Sequence, residues 1–372
     1  MWLASGTNGH ASSRSDRRRD AYIDSLRAAA IVRVFLQHTM PLGALTALLP
    51  SMWVMFGLAG YLTAASLHRN GGLRTIRSRT RRLLPPLWTL AMVAIPLMLM
   101  VGWPQFGWRD LLPWIFPVIN PPSSEWGAPF ATALWYLRAY LWLVLLSPLT
   151  RSAFQRWPVP TLITPLAGAV LFGTVLPLPT SPTADVLWST AAYGPAWLLG
   201  YARHTGLLDR LAPTACLATA GTLGASALLR ATTDPEGLHD PLAQALWGTA
   251  VVLLVLRARP PMDWLTRFPA MGRAIDLLNN RAVTIYVWQL PMIVAGLWLL
   301  DHTPGRSIAG PPLLTLLAGT MLTALAVLCF GWVEDLAGRR PPSLLPSRHT
   351  DCADLPSQLS PRQPSRKEGG QT

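Results

Sequence analysis

The sequence contains almost no lysine and few charged residues of any kind. Only 13% of its 372 residues are charged, Lys367 is the single lysine, and the net charge of +13 rests almost wholly on arginine. Hydrophobic residues make up 51% of the chain, 17 residues are Trp and 35 are Pro, and the mean hydropathy is positive. This balance is typical of a membrane protein and not of a soluble one.

Cysteine is also scarce, and the motifs of several common enzyme classes are missing. The cysteines Cys216, Cys329 and Cys352 show neither metal-ligand spacing nor a paired framework. They therefore predict no metal site, and they do not indicate the redox compartment of the protein. The sequence has no P-loop and no G-x-G-x-x-G. It also lacks G-x-S-x-G and a His followed four residues later by Asp, so soluble-type hydrolase chemistry and glycerolipid acyltransferase chemistry find no support.

What the sequence has instead is a series of apolar runs near the length needed to cross a bilayer, about 20 residues. These runs lie at 26–46, 50–67, 83–102, 133–150, 160–178, 187–202, 213–230, 241–258, 280–300 and 311–333. We therefore predict an all-α membrane protein, a bundle of about ten transmembrane helices.

The arginines are concentrated in alternate connections between these runs. With a cytoplasmic start, the internal connections, with the end of the eighth run, hold fourteen arginines, whereas the external ones hold seven acidic residues and only Arg109 and Arg306 are clearly basic there. This is the positive-inside bias of membrane proteins. It predicts that both termini are cytoplasmic and that the basic charge reports topology and not nucleic-acid binding.

Three connecting or terminal segments stand out by composition. Residues 1–20 and 337–372 are polar and lack apolar periodicity, so we predict disordered cytoplasmic tails that flank a transmembrane domain over 21–336. The longest external connection, 102–132, is rich in Trp and Phe. It either anchors helix ends at the membrane interface or folds back over the bundle and caps a site.

Ionisable residues enter the first apolar run, within Y-I-D-S-L-R-A-A-A-I-V-R-V-F-L-Q-H at 22–38. Eleven helical steps of about 100° separate Arg27 from His38, so both lie on one face, with Asp24 close to the same line. At about 1.5 Å per residue, His38 is about 16 Å deeper than Arg27. Such residues in a span indicate a functional site. In the alternative, His38 bonds a neighbouring helix and Arg27 marks the cytoplasmic boundary; Arg33 lies off this line in either case.

Several stretches, in order along the chain, resemble the acyltransferase 3 family of integral membrane acyltransferases. The stretch 22–38 resembles the family's opening D-x-L-R-A-x-A…H, and M-F-G-L-A-G-Y-L at 55–62 resembles its second span. R-T-R-R-L-L-P-P-L-W at 79–88 is similar to the start of the third span, and L-W-Y-L-R-A-Y-L-W-L-V-L-L-S-P-L at 134–149 to the fourth. A weaker likeness is T-I-Y-V-W-Q-L-P at 284–291.

The chain departs from the family's pattern at three positions. Tyr140 stands where one branch has an acidic residue, Ala59 replaces the usual Ser of the second span, and Gln289 replaces the His that many members have in a late span. The carboxylate found in that one branch is therefore missing from the fourth span of this chain.

The resemblance implies roles for individual residues. His38 matches the first-span histidine and would be the catalytic base, a role that suits imidazole because it titrates near neutral pH. Arg27, Arg79 and Arg82 match arginines assigned to the acyl donor, since guanidinium groups bind the phosphates of coenzyme A at two points. Asp24 would support this site. The alternative for the basic loop is an ordinary topology signal.

From these observations we predict a multi-pass O-acyltransferase of the plasma membrane. It would take an acyl group, in the first instance acetyl, from acyl-CoA and transfer it to a hydroxyl of a sugar, glycolipid or small natural product, without a metal. The rival class is a transporter or flippase of a polar metabolite or lipid-linked glycan, because polar residues inside a Pro-broken bundle also mark substrate pathways. The second half of the sequence has no counterpart to D-x-x-R…H, which favours the enzyme.

Overall fold

The protein is described by a computed structural model over residues 8–40, 49–234, 237–258, 260–302 and 312–344. In these residues the regular structure is helical throughout, with no strand. The helices that form the bundle are α1 (Asn8–Thr39), α2 (Ser51–Asn70), α3 (Gly72–Val101), α4 (Trp135–Arg156), α5 (Pro158–Thr174), α6 (Pro182–His204), α7 (Pro213–Thr233), α8 (Pro241–Arg257), α9 (Pro269–Asn280), α10 (Ala282–Asp301), α11 (Pro312–Phe330) and α12 (Trp332–Ala337).

Each of the ten predicted apolar runs overlaps one of these helices, namely α1 to α8, α10 and α11. Within the described residues, four helical stretches are long and apolar enough to cross a membrane: Gly72–Val101, Ala128–Arg156, Ala282–Asp301 and Pro312–Phe330. α5 and α8 are apolar but shorter. The all-helical membrane class is thus confirmed, whereas the count of ten spans and the side on which the termini lie stay predictions.

The first helix begins inside the segment 1–20, the predicted cytoplasmic tail. α1 begins at Asn8, so its backbone takes up most of the segment 1–20 for which we predicted disorder. The stretch from Asn8 to the end of α1 contains no proline, and its many arginines and alanines favour a helix. The first apolar run therefore continues a helix that has already started.

The residues that follow α12, up to Leu344, contact the bundle, and they belong to the segment 337–372 that we predicted as a cytoplasmic tail. Arg281, at the start of α10, donates hydrogen bonds to the side chain of Asp335 and to the backbone of Ser343. These contacts hold the first residues after α12 against the bundle. Residues 345–372 lie outside the described residues.

Helices α2 and α6 pack closely, and this contact depends on glycine. A Cβ atom built on Gly60 would lie 2.0 Å from the carbonyl oxygen of Trp197, and one on Gly200 would lie 2.2 Å from that of Gly57. No side chain fits there, so the two backbones touch directly, as small residues allow in membrane bundles. Because one face of α2 is held against α6, this contact determines which face of α2 is turned towards α1 and α4.

The long connection between α3 and α4 folds back over the bundle. Trp114 is 1% exposed and its indole N–H donates to the carbonyl of Pro122 at 3.0 Å. Trp142 of α4 donates to Val118 at 2.9 Å. In contrast, Trp108 is 81% exposed. Of the two predicted alternatives, the structure supports the folded-back loop. The exposed side chain of Trp108 suits an interfacial anchor.

Candidate functional site

A cavity of about 310 Å³ lies where α1, α2, α3, α4, α9, α10 and α12 meet. Four of the five predicted site residues line it: Asp24, Arg27, Arg79 and Arg82. Asp24 and Arg27 are three residues apart on α1, and Arg79 and Arg82 are three residues apart on α3. This spacing places the two members of each pair on one helical face. The structure thus brings together two predicted pairs that are about fifty residues apart in the sequence.

The side chains of the three predicted arginines are not fixed by described hydrogen bonds or ion pairs. Arg27 and Arg79 are half-buried and Arg82 is exposed. No described residue accepts a hydrogen bond from the side chain of Arg27, Arg79 or Arg82 or forms an ion pair with it. The backbone of Asp24, in contrast, accepts a hydrogen bond of 2.9 Å from Asn279 of α9, which ties α1 to the cavity wall.

The wall opposite these arginines is made of residues that sequence analysis missed. Glu334 of α12 accepts hydrogen bonds from the backbone of Val283 at 3.0 Å and from the backbone and hydroxyl of Thr284 at 3.3 and 2.9 Å. These donors form the first turn of α10, so Glu334 caps that helix although it lies about fifty residues away in sequence. Burial raises the pKa of Glu334, and its hydrogen bonds and the charge of Arg27 offset only part of this effect.

Three tyrosines also line the cavity. The rings of Tyr136 and Tyr286 lie 5.0 Å apart, and those of Tyr136 and Tyr140 lie 6.3 Å apart. The hydroxyl of Tyr286 donates to the carbonyl of Ala133, which joins α10 to the start of α4. The signal for Tyr286 was present in the weak T-I-Y-V-W-Q-L-P likeness; Glu334 had none, because it follows directly on the last apolar run.

The positions at which the chain departs from the family pattern are informative here. Ala59 and Tyr140, which stand in place of a Ser and an acidic residue, both line the cavity. Gln289 is 2% exposed and does not line it. Two of the three departures therefore change the chemistry of the cavity wall.

His38, the predicted catalytic base, is not among the residues that line the cavity. It lies at the last turn of α1, where its side chain is exposed and its ring Nδ1 is 2.7 Å from the carbonyl oxygen of Val34. Because a carbonyl oxygen can only accept, Nδ1 is the donor in this contact. In a neutral ring this leaves Nε2 to accept a proton, which is the tautomer that a base needs, about 16 Å along the helix from Arg27.

Two further arginines lie on helices that line the cavity. Arg33 of α1 does not line the cavity itself, and its guanidinium donates to the side chain of Gln37 on the same helix. Arg138 of α4 does not line it either. It is 4% exposed and binds Asp185 at 3.2 Å and the hydroxyl of Ser189 at 2.8 Å, because α6 offers these partners inside the bundle.

The charges around the cavity define what it can bind. Four guanidinium groups, from Arg27, Arg79, Arg82 and Arg340, face three carboxylates, from Asp24, Asp276 and Glu334. Three of these guanidinium groups have no described partner, and guanidinium groups favour two-point hydrogen bonds with phosphate oxygens. The arrangement suits an anionic ligand with phosphate groups.

A comparison with known protein families identifies the family of the chain. A family model described as an acyltransferase domain, Acyl_transf_3, matches residues 20–331. The chain belongs to the acyltransferase 3 family and is a membrane acyltransferase. No curated protein and no solved structure matches the chain significantly.

Proposed function

We propose that the protein transfers an acyl group, acetyl in the first instance, from acyl-CoA to a hydroxyl group. The acceptor would be a sugar, a glycolipid or a small natural product, and the protein would act in the plasma membrane. The observation that carries the proposal is the meeting of Arg27, Arg79 and Arg82 in one cavity without described partners. The phosphates of coenzyme A are anions of the kind such a site binds.

In this proposal the two ends of α1 have different tasks. The arginines at the Arg27 level hold the phosphates of the donor at the cytoplasmic side, where acyl-CoA is found. The pantetheine arm is a long, flexible chain, and it would carry the thioester from there towards His38. Nε2 of His38 removes the proton of the acceptor hydroxyl as the oxygen attacks the thioester carbonyl. The carbon–sulfur bond then breaks, His38 returns the proton to the sulfur, and coenzyme A leaves as the thiol.

The rival function, a transporter or flippase, predicts a different result in the simplest assay. Purified full-length protein in nanodiscs is incubated with acetyl-CoA, and free thiol is measured over time, with and without an envelope extract as a source of acceptor. The enzyme releases thiol, faster with acceptor, whereas a transporter leaves acetyl-CoA intact. Absence of thiol release with all acyl-CoA donors and extracts would contradict the proposed reaction.

The acceptor is found by a second experiment. Metabolites and envelope glycans of a deletion strain are compared by mass spectrometry with those of the parent strain. Loss of one acyl mass from one compound identifies the acceptor and the acyl group together, and restoring the gene should restore that mass. An unchanged set of acylated compounds would count against transfer to an envelope or metabolite hydroxyl.

A further inference from the structure

The residues that follow α12 turn back towards the cavity in a fixed geometry. After Ala337, the backbone N–H of Arg339 donates to Leu336 at 3.0 Å and that of Arg340 donates to Asp335 at 2.8 Å. Arg339 adopts a left-handed conformation with φ 58°. These two bonds and this conformation form a Schellman motif, which sets the direction in which the chain leaves the helix.

This turn is anchored by an ion pair inside the protein. Arg281 is 0% exposed and binds the carboxylate of Asp335 at 2.8 Å and the carbonyl of Gly331 at 2.8 Å. The same carboxylate accepts hydrogen bonds from the backbone and hydroxyl of Ser343 at 3.1 and 3.2 Å. On the other side, Arg81 of α3 donates to the carbonyl of Ala337 at 3.0 Å. These bonds therefore attach residues 332–344 to the bundle.

Arg340 is placed by this anchored turn at the cavity wall. One of its terminal nitrogens donates to the side-chain oxygen of Asn280 at 2.7 Å, and no described residue accepts from its other side-chain nitrogens. A Cβ atom built on Gly338 would lie 3.2 Å from Nε of Arg340, so the glycine leaves room for this side chain. Arg340 is also close enough to Arg82 for their charges to repel.

A guanidinium held beside other guanidinium groups, with most of its donors unused, fits an anion that bridges them. We propose that Arg340 is a further phosphate-binding residue of the acyl-CoA site, positioned by the turn after α12. The family match ends at residue 331, so the matched region does not include this residue. The inference rests on the proposed function, because the phosphates in question are those of coenzyme A.

The test is binding of coenzyme A to the purified full-length protein, measured by calorimetry. Arg340→Gln should weaken binding about tenfold, the effect of losing one charge-assisted hydrogen bond. Arg339→Gln is the matched control, because it removes the same charge from the neighbouring exposed residue, which does not line the cavity. It should change the affinity by about twofold or less.

Two further variants keep the test informative if Arg340→Gln folds poorly. Arg340→Lys keeps the charge without the planar fork and should recover part of the affinity. Gly338→Ala keeps Arg340 but adds a methyl group against its Nε, and should weaken binding without removing a charge.

Dephospho-coenzyme A shows which phosphate is bound. If the effect of Arg340→Gln shrinks with this ligand, Arg340 binds the 3′-phosphate, and if it persists, Arg340 binds the pyrophosphate; both results support the proposal. Wild-type affinity in Arg340→Gln, with reduced affinity in Arg79→Ala, would overturn it and leave the proposed function intact. Absence of coenzyme A binding by the wild-type protein would overturn the proposed function, and this inference with it.

Discussion

The arginines of this bundle occur in two kinds of setting. In the cavity, Arg27, Arg79 and Arg82 are half-buried or exposed and have no described partner. Elsewhere, Arg281 and Arg138 are buried, and each is bound to a carboxylate and to further oxygens. The sequence does not distinguish these two settings.

The difference follows from electrostatics. A buried guanidinium must be paired, because an isolated charge in the protein interior has a large desolvation cost. Among the described residues, the guanidinium groups of the cavity outnumber its carboxylates and form no hydrogen bond or ion pair that fully compensates their charge, which makes their common space favourable for an anion. The paired arginines, in contrast, join helices.

The neighbouring residues Glu334 and Asp335 show the same contrast between a group that lines the cavity and a group that is paired in the packed interior. Glu334 faces the cavity, and burial raises its pKa. Asp335 points into the packed region, where burial alone would raise its pKa. There its bonds to Arg281 and Ser343 outweigh burial and hold the pKa below the ordinary value of 3.8.

The largest expected effect concerns a residue in neither group of arginines. His38→Ala should lower kcat by about 10²- to 10⁴-fold, the usual effect of losing a general base, while the protein stays folded and binds coenzyme A normally. Steady-state kinetics and binding on the purified variant measure both quantities. Near-normal turnover would show that His38 is not the catalytic base. The base would then have to be sought among the residues that line the cavity.

Next in size is the loss of a paired arginine. Arg281→Met leaves Asp335 buried without its partner and should lower the free energy of unfolding by about 3–5 kcal/mol. Yield and Tm in detergent measure this effect. The double variant Arg281→Met with Asp335→Leu should recover part of the stability, because it removes the unpaired charge.

The matched change in the cavity is Arg79→Met, which should alter stability by about 0.5 kcal/mol or less. A fall in Tm as large as that of Arg281→Met would show that the cavity arginines also hold the helices together. In that case the contrast between the two groups would be wrong.

The cavity arginines should instead affect binding of the donor. Arg79→Ala and Arg82→Ala should each raise the KM for acetyl-CoA about tenfold with little change in kcat, because binding common to ground and transition states is lost. Arg→Lys should restore only part of it. The affinity should fall further with salt, since exposed charges are screened over about 8 to 10 Å. Wild-type KM in both correctly inserted variants would make the basic loop a topology signal only.

The smallest expected effect is a pH dependence of stability at Glu334. Its pKa is raised above the ordinary value of 4.5, so the folded protein binds this proton more tightly than the unfolded chain does. The wild-type Tm, relative to that of Glu334→Gln, should therefore rise by a few degrees at most as the pH falls from 7 through the folded pKa. An unchanged Tm difference across this range would show that Glu334 is not in the environment described.

The sequence alone predicted the features that depend on local pattern. Hydropathy located the apolar runs that overlap ten helices, because the length and composition of a span are properties of consecutive residues. Helical spacing placed Arg27 and His38 on one face of the first helix, with Asp24 near the same line. The family resemblance then assigned Arg27, Arg79 and Arg82 to the acyl donor.

Only the tertiary structure decided which faces meet. It placed Arg27 near Arg79 and left His38 at the far end of α1, outside the cavity. A periodic pattern shows on which face a side chain lies, but not which helix packs against that face. That choice depends on contacts between distant residues, such as the backbone contact that glycines allow between α2 and α6.

The carboxy-terminal segment shows this limit most clearly. Its composition, rich in Pro, Ser and Arg, predicted a disordered tail from residue 337, and nothing in the local pattern set its first residues apart. In the structure, Arg281 binds Asp335 and Ser343 and thereby fixes Arg340 at the cavity. The partners of these bonds lie more than fifty residues apart in the chain, and a bond of that kind exists only once the helices between them have packed.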